Sequence, residues 1–124
     1  MTKLTLSKTE MIDDLYLAAE EVTLQCMILN RRKLVQAFIY MHPHVENMNV
    51  KIMPANTVHR EGVERPEPLG VLDIKLKFWD NDDLDECKDF YSEQMEKIEL
   101  FIRYLDHLIT AGKRIEAEIK KEAA

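Results

Sequence analysis

A row of eleven residues spaced alternately three and four apart runs through the last third of the chain: Leu84, Cys87, Tyr91, Gln94, Ile98, Phe101, Leu105, Leu108, Gly112, Ile115 and Ile119, nine of them apolar. At 3.6 residues per turn this spacing draws one apolar seam along a helix, so the segment has to bury one face against something else. The row predicts a helix over about 82–121; the unbroken register favours continuity through Gly112, the alternative being that Gly112 ends one helix and a short one begins at Lys113. A glycine in a helix interior costs about 1 kcal/mol relative to alanine, and a close helix crossing at that point would account for it.

A second helix is announced by Ser7-Lys8-Thr9-Glu10. In this capping box the Ser7 hydroxyl accepts the Glu10 amide proton while the Glu10 carboxylate reaches back to the Ser7 amide; Leu6 and Met11 are placed for the accompanying hydrophobic staple. Ile12, Leu15, Ala19, Val22, Cys26 and Leu29 then form an apolar stripe. Tyr16, Leu17, Leu24, Met27, Ile28, Leu34, Val35, Phe38 and Ile39 widen it beyond a single seam, which implies more than one neighbour. The helix is expected to run to about Met41, where Pro43 disfavours helical geometry at His42. Its early acids, Glu10, Asp13 and Asp14, and its late bases, Arg31, Arg32 and Lys33, complement the helix dipole.

Between the helices Leu72, Ile74, Leu76 and Phe78 alternate with polar residues and Trp79, the mark of a strand with one buried face. Val50 and Ile52 suggest a partner strand, and Leu4 and Leu6 a third. The expected fold is α+β in the order β-α-β-β-α. Two long antiparallel helices, about 8–41 and 82–121, are joined through a small antiparallel sheet of about 2–6, 48–54 and 70–79, all in one domain over 1–124. In outline, two long helices joined through a β-hairpin resemble prefoldin-like chaperone subunits, a likeness of topology that carries no residue across.

Charge narrows the function. The 124 residues carry a net charge of −6, and the whole surplus lies in the last third. There Asp80, Asp82, Asp83, Asp85, Glu86, Asp89, Glu93 and Glu96 are opposed only by Lys88. Direct nucleic-acid binding by a basic face is therefore disfavoured, and no apolar stretch approaches membrane-spanning length. The opening residues lack the apolar run of a signal peptide, and Cys26 and Cys87 fall on apolar helical seams as free thiols. Both observations point to a cytoplasmic setting.

Three stretches invite a site. Residues 54–70 form a long irregular loop holding His59, Arg60 and Arg65; with Trp79 these could contact an anionic metabolite or nucleotide, although Glu61, Glu64 and Glu67 balance the arginines. The acidic run fails as an EF-hand, since it lacks the central glycine and puts Leu84 at a ligand position; it reads as helix capping. Its extension makes Asp82, Asp83, Asp85, Glu86, Asp89 and Glu93 a docking face for a basic protein partner. His42-Pro43-His44 supplies two of the ligands a metal-dependent enzyme would need, the third having to come from His59, Glu46 or another subunit. It reads instead as punctuation, so neither a metal site nor a cofactor is assigned. Ser7 is committed to a cap, Ser92 has no histidine near it in sequence, and His107 sits beside Asp106 and Arg103 as an exposed residue, so no catalytic residue is assigned.

The expectation is an acidic interaction protein, an adaptor, inhibitor or assembly factor. It would self-associate through its helices as a homo-oligomer, a dimer being favoured, and bind another macromolecule. Sequestration of an anionic small molecule by the 54–70 loop is the alternative.

Overall fold

A computed structural model describes residues 6–79 and 82–118. Five elements follow in the order α-β-β-β-α: α1 (Lys8–Arg31), β1 (Val35–His42), β2 (Asn47–Pro54), β3 (Gly70–Lys75) and α2 (Leu84–Ala111). The strands form an antiparallel meander, β1-β2-β3. The α+β class and the existence of the two later strands agree with the sequence reading, but the order differs from the expected β-α-β-β-α because a strand, β1, follows α1 where helix was expected; four details correct the reading further. The strand expected over 2–6 lies outside the described residues except for Leu6, which precedes the α1 cap.

The first correction is the end of α1. The capping box at Ser7 and Glu10 forms as expected. The helix stops at Arg31 rather than Met41 because the chain turns through Lys33, whose φ is +57°. The Lys33 amide donates to the Asn30 carbonyl and the Leu34 amide to the Leu29 carbonyl, a Schellman termination built without glycine. Residues 35–42 then form β1, where Val35, Phe38, Ile39 and Tyr40 suit a pleated surface better than a helix. His42-Pro43-His44 accordingly lies at the β1–β2 turn and not at a helix end: Val45 donates to the His42 carbonyl and Glu46 to that of Pro43.

The second correction concerns β3, which ends at Lys75 rather than residue 79, its last amide donating to the Gln94 side chain at 2.9 Å. The third is Gly112, which ends α2 instead of lying within it. Its φ is +62° and its amide donates to the Leu108 carbonyl. Beyond it Ile115 keeps its place in the apolar row as part of an extended clip, donating to the Leu34 carbonyl and accepting from the Ala55 amide. Ile119 lies outside the described residues.

The fourth correction is direction. Lys8 donates to the Asp82 carbonyl (2.9 Å), Tyr91 to Asp14 (2.8 Å), Gln25 to Asp106 (2.8 Å) and Arg32 to the Ile109 carbonyl (3.1 Å). Residue numbers therefore rise together along α1 and α2: the helices are parallel, not antiparallel. An odd number of antiparallel strands between them requires it, and it departs from the outline of a helical hairpin. Parallel helices align their dipoles unfavourably, and the ends answer this. Both N-termini carry capping boxes with acids in the first turn, and Arg32 donates into the last turn of α2.

Both helices cover one face of the sheet. Leu15, Val22, Cys26 and Leu29 of α1 meet Ile98, Leu105 and Leu108 of α2 and Val50, Ile52, Leu72 and Ile74 of the strands in one buried core.

Candidate functional site

With the inner face of α1 committed to the core, its remaining apolar residues project outward. Tyr16, Leu17, Leu24, Met27 and Ile28 are all exposed, Leu17 and Met27 at 61%. Five large apolar side chains on one helix face form a contiguous patch rather than scattered surface hydrophobics. Where the patch meets the sheet, Tyr16, Ala19, Leu24, Met27, Met41 and Met48 line an open apolar groove of about 310 Å³. Glu20 and Thr23 are its polar members, and the Thr23 hydroxyl is spent on the Ala19 carbonyl. Partial burial first and the Glu46 carboxylate second push the Tyr16 phenol above its ordinary value. Methionines at such a surface adapt to irregular partners.

The edge of β1 beside the patch is partly closed. Asn30 donates to the Ala37 carbonyl (2.9 Å) and accepts from the Ala37 amide (2.7 Å), imitating a neighbouring strand. This protects the edge against indiscriminate strand pairing.

The ligand residues proposed for the 54–70 loop are not brought together. His59 shares a 2.6 Å hydrogen bond with Gln36 and meets Phe38 edge-on at 5.1 Å, pinned to the outer sheet face at the Pro54 end of β2. Arg60 and Arg65 are exposed on the same loop. Trp79 follows β3, and because Asn47 pairs with Lys75 it lies at the opposite end of the sheet, roughly 20 Å away at 3.3 Å per residue. There it is 65% exposed, with Lys75 Nζ 5.2 Å from its ring centre.

The acidic residues divide into two groups. Asp83 and Glu86 form the α2 capping box, and Asp82 accepts from the Trp79 amide at 3.1 Å. Asp85, Asp89 and Glu93 are exposed at successive turns of α2, with Glu93 3.9 Å from Lys97. Asp80 lies outside the described residues. His42 and His44 sit with their rings 6.4 Å apart, while His59 is held at the far end of β1. Among the described residues no group of three or more His, Cys, Asp or Glu is arranged to hold a metal, and no helix is long and apolar enough to cross a membrane. Cys26 and Cys87 are both free and buried, and burial pushes the Cys26 thiol up to about 11.

The outer face of α1 was legible in part, because the stripe was too wide for one neighbour. What periodicity could not supply was which residues of that stripe would be left over once the turn at Lys33 and β1 had taken Leu34 to Met41 out of the helix.

No protein family matches the chain, and comparison with curated proteins and with solved structures finds no match.

Proposed function

We propose that this chain is an interaction protein, working by contact between its surfaces and other polypeptides. It associates through the outer face of α1 and offers the exposed acidic ridge of α2, Asp85, Asp89 and Glu93, to a basic partner. The observation that carries the reading is the apolar patch on α1. A helix whose inner face already fills a core has no stability reason to keep Leu17, Leu24 and Met27 in water, and exposed patches of this kind mark association sites. The ridge supports it through charge. Asp82, Asp83 and Glu86 are occupied at the helix start, whereas Asp85, although a first-turn acid, continues at successive turns into Asp89 and Glu93, which lie beyond the cap.

The test is photo-crosslinking in cells with a photoreactive residue at position 24, and at exposed Asp73 on the other sheet face as control. Discrete adducts from position 24 and none from 73 are expected. No adducts from position 24 would overturn the reading. Once a partner is identified, neutralising Asp85, Asp89 and Glu93 together should weaken its binding and reduce the salt dependence of that binding.

A further inference from the structure

We infer that the outer face of α1 is a self-complementary seam that packs against the same face of a second copy of this chain, with the two α1 helices antiparallel. The inference rests on the interaction reading above and names the partner of that surface.

Opposite the buried row, Asp13, Leu17, Glu20, Leu24, Met27 and Arg31 form a second row with spacings of 4-3-4-3-4, all exposed. At about 100° per residue the six fall within an ~80° arc on the side of α1 away from Val22, which is fully buried. The spacings read the same in both directions about residue 22. A twofold axis there sets Leu17 against Met27 of the second copy, Glu20 against Leu24, and Asp13 against Arg31. Opposite charges thus meet at both ends of the seam; between them Leu17 meets Met27, and Glu20 faces Leu24 across the axis. Parallel register would instead oppose Asp13 to Asp13, Glu20 to Glu20 and Arg31 to Arg31, three like-charge contacts.

The area is sufficient. Taking ~190 Å² for a side chain of this size, the exposed fractions of Tyr16, Leu17, Leu24, Met27 and Ile28 amount to about 480 Å² per copy. Two copies offer about 960 Å² from these side chains, close to the ~1,000 Å² that a specific interface has to clear, and Asp13, Glu20 and Arg31 of each copy add to it. Glu20 is the single charge in the middle of the row and keeps the association reversible. Pairing through the β1 edge offers less, because Asn30 occupies the Ala37 backbone groups and Pro43 has no amide to donate.

The experiment is sedimentation equilibrium on the full chain from about 1 to 100 μM, which reads dissociation constants across that range. Wild type is expected to be a reversible dimer. Asp13→Arg and Arg31→Asp each weaken it by about tenfold. Mixed in equal amounts they associate at least as tightly as wild type, because the antiparallel heterodimer restores both end pairs. Leu24→Glu with Met27→Glu gives a monomer, and circular dichroism confirms that each variant stays folded. A wild-type monomer at 100 μM, with position-24 adducts in cells that contain only other polypeptides, would overturn the inference and leave the interaction reading standing. A monomer with no adducts would overturn both. A dimer whose charge variants fail to rescue each other on mixing would overturn the antiparallel seam.

Discussion

Gly70 opens β3 opposite Ile52, and a Cβ built there would lie 2.8 Å from Tyr104 Cε2, 3.3 Å from Tyr104 Cζ and 3.5 Å from Phe101 Cε1. Carbon atoms prefer ~3.5–4.0 Å, so the first of these contacts overlaps by about 0.7 Å. The Tyr104 ring is half-buried and packed on Phe101 with centroids 5.8 Å apart, which limits how far it can swing away. Gly70 is not in the left-handed region. In open space Gly70→Ala would therefore stabilise by roughly 0.4–1 kcal/mol through the unfolded chain. Overpacking costs ~1–3 kcal/mol, so the net change is a loss of up to about 2.6 kcal/mol, centred near ~1.3 kcal/mol. For a domain of this size that lowers Tm by roughly 4–8 °C. Urea unfolding at one fixed protein concentration reads it, with Tyr104→Leu as the second arm of a double-mutant cycle. In the Tyr104→Leu background Gly70→Ala should be neutral or stabilising, with a coupling of about 1–2 kcal/mol. A Gly70→Ala variant that unfolds at higher urea than wild type, or two substitutions that add within ~0.3 kcal/mol, would refute the argument.

Arg32→Ala removes the guanidinium from the last turn of α2 and should cost about 1 kcal/mol in the same urea assay, less at high salt. Asn30→Ala removes both bonds to Ala37, should cost about 1–2 kcal/mol, and should speed hydrogen exchange at the Ala37 amide. Cys26, buried and with its thiol pushed up to about 11, should resist alkylation at pH 8 until the chain is unfolded by urea; labelling of the native protein at the rate of a free thiol would contradict its placement. Burial first and the Asp14 hydrogen bond second push Tyr91 from 10.0 up to about 12. Its neutral form is favoured in the folded state, so its contribution is full below pH 10 and is lost as pH rises toward 12. Tyr91→Phe should flatten the fall of stability between pH 10 and 12; an unchanged slope would assign that fall to other groups.

The parts of the fold legible in the sequence are those in which one local pattern had no rival. The Ser7 capping box, the alternation through Leu72, Ile74 and Leu76, and the row from Leu84 to Leu108 each fit one element only. The stretch from Leu34 to Met41 fits two, since its apolar residues continue the helical spacing and also alternate. Lys33, a residue type that rarely takes positive φ, ends the helix with no glycine to announce it. Gly112 misled for a related reason: Ile115 keeps the 3-4 register but reaches the core from an extended segment. Missing β1 also reversed the helix direction, because two strands return the chain antiparallel and three return it parallel. For the candidate site, the surplus apolar residues of α1 were visible. The separation of Trp79 from His59 was legible too: a strand over 70–79 that begins at the end of the loop carries Trp79 roughly 30 Å from it at ~3.3 Å per residue.

The parallel pairing of α1 and α2 also bears on how the chain acquires its fold. The hydrogen bonds that join the two helices link residues 74 to 81 positions apart, whereas β1 and β2 meet across a short turn. No local hairpin can zip the helices together, so their pairing has to close a loop of more than seventy residues, which raises the contact order of the fold and slows its formation relative to a helical hairpin. During synthesis at ~5–20 residues per second, the stretch from Leu76 to Ala111 takes about 2–7 s to emerge. For that interval Leu15, Val22 and Leu29 have strands on one side and nothing on the other. Only when the final turn of α2 is available can Leu105 and Leu108 cover that side of the core.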